Sequence, residues 1–300
     1  MIKINSISKT YDKVTALDNI SFNVNKNELF GLIGPDGAGK TTLFRILTTL
    51  ILPNTGTANL NGLDIVGDYK KIREIIGYMP GRFSLYHDLS VEENLNFFAT
   101  VFNTTIDENY DLIADIYKQI EPFKKRLAKQ LSGGMKQKLA LSCALIHKPK
   151  ILILDEPTTG VDAVSRVEFW EMLKSLQQKE ITILVSTPYM DEAALCDRVA
   201  LIQKGKILTI DSPDNIIQHY PKKILAINAK NKHKLITDLK NYNNADTVYP
   251  FGEFIHFTAK NNNPNIDDIT SYLKNNANED IFIKQTKADI EDCFMELMNT

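Results

Sequence analysis

GPDGAGKT, residues 34–41, sits between the apolar run ELFGLI (28–33) and TLFRILTTL (42–50), whose apolar residues recur at helical spacing. A strand, a glycine-rich turn and a helix in that order are the context in which the pattern G-x-x-x-x-G-K-[ST] carries chemistry. Backbone N–H groups of such a turn point inward and cradle phosphate oxygens, and the positive end of the following helix adds to the attraction. Gly34, Gly37 and Gly39 permit the close approach. The run Gly34, Pro35, Asp36, Gly37, Ala38, Gly39, Lys40, Thr41, Thr42 is therefore expected to hold the phosphates of a nucleotide. Lys40 would reach the β- and γ-phosphates, and the Thr41 hydroxyl would ligate Mg²⁺.

ILILDEP, residues 151–157, supplies the complement. Four apolar residues end on two acids, which places Asp155 at the mouth of a buried strand, where it can hold Mg²⁺ through water. Glu156 beside it can polarise an attacking water. Lys40, Asp155 and Glu156 together predict a P-loop nucleoside triphosphatase. The apolar run ITILV (181–185) and the helix-like 163–179 before it extend the alternation of short strands and helices, which indicates an α/β fold around a largely parallel sheet. Residues 91–146 read as a mostly helical insertion.

The bulk properties narrow the rest. A chain of 300 residues, 43% hydrophobic and 24% charged, is an ordinary globular sequence long enough for two domains. A net charge of −2 gives no whole-chain electrostatic case for nucleic acid. Three scattered cysteines, Cys143, Cys196 and Cys293, argue against a disulfide framework and fit a reducing cytosol. No segment approaches the ~20 apolar residues that span a bilayer, so a membrane role requires a partner. After DSPDNIIQHYPKK (211–223) the chain becomes rich in Asn and Lys. The order β-α-β-β-α-β-α read there predicts a small α+β, ferredoxin-like appendage over 221–300, behind a first domain over 1–220.

LSGGMKQKLALSCAL, residues 131–145, is a second anion-binding helix start: Ser132 can cap, and Gly133 and Gly134 expose backbone N–H groups. LSGGM shortly before the apolar-Asp-Glu strand resembles the signature of the ATP-binding cassette (ABC) family. Over about residues 2–215 the other landmarks follow in order. Tyr11 matches the aromatic residue that stacks on adenine, TTGVDAVSR (158–166) contains Asp162 of the D-loop, and STPYMDEA (186–193) is the switch region. GYMPGRFSLYHDLSVEENL (77–95) and the C-terminal IEDCFMEL are similar to the ATPase subunits of type-2 ABC export permeases.

The resemblance implies an ABC cassette with a mixed sheet core and a helical subdomain at about 91–146. It implies a cytoplasmic subunit, peripheral on the inner face of the cell membrane, that couples ATP and Mg²⁺ to an integral membrane permease. Two cassettes, as a homodimer or a heterodimer with a second ABC ATPase, would each sandwich ATP between the phosphate loop of one and Ser132, Gly133 and Gly134 of the other. Segment 81–95 would face the permease. A soluble, non-transport ABC ATPase or an ATP-binding regulator is the alternative.

Two positions depart from the family. The residue after Ser186-Thr187 is normally a histidine that contacts the γ-phosphate, and here it is Pro188; the glutamine expected after the GYMP strand is Gly81. Losing one such transition-state contact costs roughly 10²–10³ in rate, so this half-site is expected to hydrolyse slowly unless Arg82 or Tyr189 substitutes. Pro188 also reads as the first residue of a helix capped by Thr187. Phe97, Phe98 and Phe102 read as core or permease-facing packing, and Lys124, Lys125, Arg126 and Lys129 as a solvated face.

Overall fold

The computed structural model describes residues 1–299. The chain divides into two compact units, Met1–Pro213 and Asp214–Thr300. The break lies earlier than residue 220, because the short helix Pro213–Gln218 belongs with the second unit: the Cys293 thiol donates to the Ile216 carbonyl.

In the first unit, β1 (Ile2–Tyr11), β2 (Val14–Val24) and β3 (Leu29–Ile33) lead into α1 (Lys40–Leu47). Then come β4 (Thr55–Leu60), β5 (Leu63–Asp64), α2 (Tyr69–Ile75) and β6 (Ile76–Met79). The helical part follows as α3 (Val91–Val101), α4 (Ile106–Tyr117) and α5 (Gly133–Leu145). The chain returns through β7 (Ile151–Asp155), α6 (Ala163–Gln178), β8 (Thr182–Thr187), β9 (Arg198–Gln203) and β10 (Lys206–Asp211).

A six-stranded sheet in the order β10-β9-β3-β8-β7-β6 carries the core. It is parallel from β9 through β3, β8 and β7 to β6, with β10 antiparallel on its edge. Every residue of β3, β7 and β8 is buried, which is why these strands read as continuous apolar runs and not as alternating ones: both faces are covered. A four-stranded antiparallel sheet, β2-β1-β4-β5, stands beside it. Ile2, Ile4, Ile7 and Leu17 from this sheet share one core with Phe30, Leu43, Phe44 and Ile153.

The helical part is anchored by polar chemistry as much as by burial. Ser90 and Glu93 form a reciprocal capping box on α3, and Thr105 and Glu108 do so on α4. Asn94, fully buried, accepts from Tyr86 N and donates to the carbonyls of Tyr86, Leu89 and Ser90. One side chain thus pins the loop that descends from Gly81.

The second unit runs α7 (Pro213–Gln218), β11 (Ile224–Asn228), α8 (Lys232–Lys240), β12 (Ala245–Phe251), β13 (Phe254–Ala259), α9 (Ile266–Asn275), β14 (Phe282–Thr286) and α10 (Ile290–Asn299). Its sheet has the order β12-β13-β11-β14 with every pair antiparallel. After α7, the elements follow the β-α-β-β-α-β-α order expected from the sequence. Leu225, Ile227, Ile255 and Phe257 pack on Leu235, Leu239, Ile269 and Leu273 of α8 and α9.

Helix α10 is held by a carboxylate. Asp292 Oδ1 accepts from the Tyr249 hydroxyl and lies 2.7 Å from His256 Nδ1, while Asp292 Oδ2 accepts from Asp289 N. Asp289 in turn accepts from Asp292 N. Burial raises Asp292, but the bonds from His256 and Tyr249 outweigh it and hold this carboxyl below its usual range. Burial, with the charge of Asp292 adding, pushes Asp289 up to about 6. A carboxyl raised on folding contributes stability below its unfolded pKa of about 3.9, and that contribution is lost as pH rises through about 6. Asp289→Asn keeps the helix cap and removes the charge. It is expected to raise the melting temperature of this unit by a few degrees at pH 8 and to leave it unchanged at pH 4, as followed by thermal unfolding at both values.

Candidate nucleotide site

The phosphate loop and the acids converge because β3, β7 and β8 are adjacent and parallel, so their C-terminal ends open on one edge of the sheet. Gly34 N donates to Thr187 O at 3.2 Å, which fastens the loop to the end of β8. Ala38 N closes back on Pro35 O, and Gly205 N donates to Ala38 O. Two glycines are required by contact. A Cβ on Gly34 would lie 2.1 Å from Ile202 O, and one on Gly39, at φ 107°, would lie 2.4 Å from Ala16 O. Asp36 is exposed, and Thr42 is half-buried in the first turn of α1.

Lys40, only 3% exposed, directs its three ammonium protons at three oxygens. Nζ donates to Gly34 O at 2.7 Å and Pro35 O at 3.0 Å, and it lies 3.0 Å from Glu156 Oε1. Asp155 is buried, and Ser186 Oγ donates to its Oδ1 at 2.7 Å. The Glu156 backbone sits in the left-handed region at φ 51°, and its N–H is shared between Ser186 O and Ser186 Oγ. Ser186 therefore orients both acids. Ser186 opens the switch segment STPYMDEA, but the sequence assigned it no role in holding the acids.

A cavity of about 1010 Å³ is lined by Thr41, Asp155 and Glu156, and also by Gly81 and Arg82. Phe98, Phe102 and His147 of the helical part line it too. Tyr78 is a further wall, and burial, with Asp155 adding and Arg45 opposing, pushes its phenol up to about 12, so it stays neutral. Thr41 and Asp155 present a hydroxyl and one carboxylate to the same space. That donor set fits Mg²⁺, which takes its remaining ligands from water and phosphate oxygens. No cluster of three or more acidic, His or Cys ligands exists among the described residues.

The remaining expected residues lie elsewhere. Ser132 caps α5 by accepting from Met135 N at 3.3 Å. A Cβ on Gly134 would meet Ser165 Oγ at 2.7 Å, and one on Gly133 would meet Gly160 O at 3.5 Å. Ser132, Gly133 and Gly134 thus border the start of α6 and do not line the cavity. Tyr11 ends β1, is 44% exposed, and has the Lys9 ammonium 5.3 Å from its ring centroid.

Pro188 needs a correction. The segment after β8 is a 3₁₀ turn over Met190–Leu195 that starts at Tyr189 without a side-chain cap, so Pro188 is not a first helical residue. Thr187 Oγ1 instead accepts from Tyr189 N, two residues on, a local turn that competes with helix entry. Tyr189 does not line the cavity: its ring lies 4.4 Å beneath the Arg166 guanidinium. Arg82 does line it and is exposed.

Residues 17–159 match the family described as ABC transporter. The chain is 32% identical to the Nod factor export ATP-binding protein I of Ralstonia nicotianae, across 99% of its own length and 93% of that protein's. The chain belongs to the ABC transporter ATP-binding proteins. It is 38% identical over 218 residues to the probable multidrug ABC transporter ATP-binding protein YbhF of Escherichia coli, and there it spans 38% of the relative's length. Among solved structures, the cassette resembles a dimeric post-hydrolysis ATP-binding cassette, MJ0796, bound to ADP and Pi. The TM-score is 0.64 at 25% identity, over 71% of this chain and 98% of that one. The phosphate loop at residues 34–41 and the acidic strand end at 155–156 both fall within the stretch that matches the family.

Proposed function

We propose that this cassette hydrolyses ATP to drive an export permease that is a separate membrane subunit. In this reading the chain sits on the inner face of the membrane; no helix among the described residues is long and apolar enough to cross one. The observation that carries the reading is the shared cavity. Thr41, Asp155 and Glu156 line the same space as Phe98 of the helical part, and Tyr86 and Phe97, stacked edge to face at 4.8 Å, are exposed close along the chain. A partner seated on that aromatic rim would reach the nucleotide's surroundings directly.

In this reading Lys40 leaves Glu156 and binds the β- and γ-phosphates, and Thr41 and Asp155 would hold Mg²⁺, which would screen the phosphate charge. Glu156, freed of its ion pair, accepts the proton of the attacking water. Tyr11 would stack on adenine, and Ser132, Gly133 and Gly134 would complete the site of a second cassette. Pro188 offers the γ-phosphate no proton, and Gly81 offers no side chain, so this half-site is the slower partner of an asymmetric pair.

Recovery of the tagged chain from solubilised native membranes tests this. The expected complex contains a polytopic membrane protein and a second ABC ATPase. Recovery with ribosomes or DNA, or with no membrane protein, would overturn the transport reading. A complex with this chain as its only ATPase and rapid turnover would overturn the asymmetric one.

A further inference from the structure

Glu192 is a buried acid that the site described above does not use. It lies on the 3₁₀ turn Met190–Leu195 and is 1% exposed. Its Oε1 accepts from Thr158 Oγ1 at 2.8 Å, and its Oε2 is buried with no hydrogen-bond partner. A buried carboxylate is tolerated only against a compensating cation. Arg166 of α6 provides it, with Nε 3.2 Å from Oε1. The same guanidinium binds Asp191 Oδ2 at 3.0 Å and covers the ring of Tyr189.

Thr158 belongs to the turn that presents Glu156. That turn is closed by Thr159 N on Glu156 O and by Val161 N on Thr158 O. Glutamate has no intrinsic preference for the left-handed backbone found at Glu156, so its direction depends on what anchors the turn. Ser186 anchors it before Glu156, and the Glu192–Thr158 bond anchors it after.

We infer that Arg166 is a positioning residue for ATP hydrolysis: it holds Glu192 in place as the acceptor that fixes Thr158 and, through the turn, the carboxylate of Glu156. Without the guanidinium, the carboxylate is buried unpaired. It must then swing toward water, and Thr158 loses its acceptor. The inference concerns hydrolysis alone and holds whatever partner the cassette serves.

The test compares single-turnover Mg-ATP hydrolysis and ATP affinity of the full chain at pH 8 in Arg166→Met, Arg166→Lys and Arg166→Met/Glu192→Gln. Arg166→Met is expected to slow hydrolysis by about 10–100-fold at pH 8, the scale of a small displacement of a catalytic group. ATP affinity should hold. Adding Glu192→Gln, which abolishes the buried charge, should return most of the rate, and Arg166→Lys should return part of it. An unchanged rate in Arg166→Met would overturn the inference. So would a defect unrelieved by Glu192→Gln, which would mark Arg166 as fold support alone. An unmodified chain with no measurable hydrolysis would also overturn it, and would leave the permease reading untouched.

Discussion

Glu156→Gln is expected to lower Mg-ATP hydrolysis by about 10²–10⁴-fold, the range for removing a positioned general base, while ATP binding persists. The substitution is isosteric and spares every anchor of the turn, since Glu156 meets Ser186 through its backbone N–H. Lys40 keeps its bonds to Gly34 O and Pro35 O and is freed of an ion pair that nucleotide binding must break in any case. Binding should therefore hold or tighten. Thermal shift in ATP checks it: a ligand at a hundredfold excess over Kd raises stability by about 2.7 kcal/mol. Hydrolysis that survives the change would mean that another group lining the cavity, such as Arg82, orders the attacking water.

Gly39→Ala is expected to abolish ATP binding and to destabilise the cassette by about 2–5 kcal/mol, summing left-handed strain and overpacking. Gly39 combines φ 107° with a Cβ position 2.4 Å from Ala16 O, a backbone atom that cannot swing aside. Gly39 also opens α1, so any shift there moves Lys40 and Thr41 together. Gly37→Ala is the control. Gly37 has φ 77° but nothing within 4 Å of its Cβ, so only the conformational cost of about 1–2 kcal/mol applies. Melting temperatures with and without ATP separate the two variants. Equal effects would show that backbone strain, and not the crowding by Ala16, sets the cost.

The strands and helices that build the site are legible in the sequence because each is a local pattern. ILIL (151–154) and ILV (183–185) are unbroken apolar runs since parallel strands are buried on both faces, and GPDGAGKT announces a glycine-rich turn. Local reading fails at Pro188. A hydroxyl, a proline and two acids read as a helix start, but Thr187 turns its oxygen to Tyr189 N, and the chain enters a 3₁₀ turn later. The domain boundary reads too late for a similar reason. A shift in composition marks where the texture changes, whereas the assignment of α7 depends on a contact with Cys293, distant along the chain.

The sequence by itself marked out the phosphate loop, the acids Asp155 and Glu156, the family and the β-α-β-β-α-β-α order of the appendage, because these rest on residue type and short spacing. Only the tertiary structure decided what holds those residues in place. Lys40 pairs with Glu156, Ser186 carries both acids, Asn94 pins the loop below Gly81, and Arg166 neutralises Glu192. Each joins positions on different elements or across a turn, where partners are chosen by which polar groups the packed core leaves buried and in need of one another.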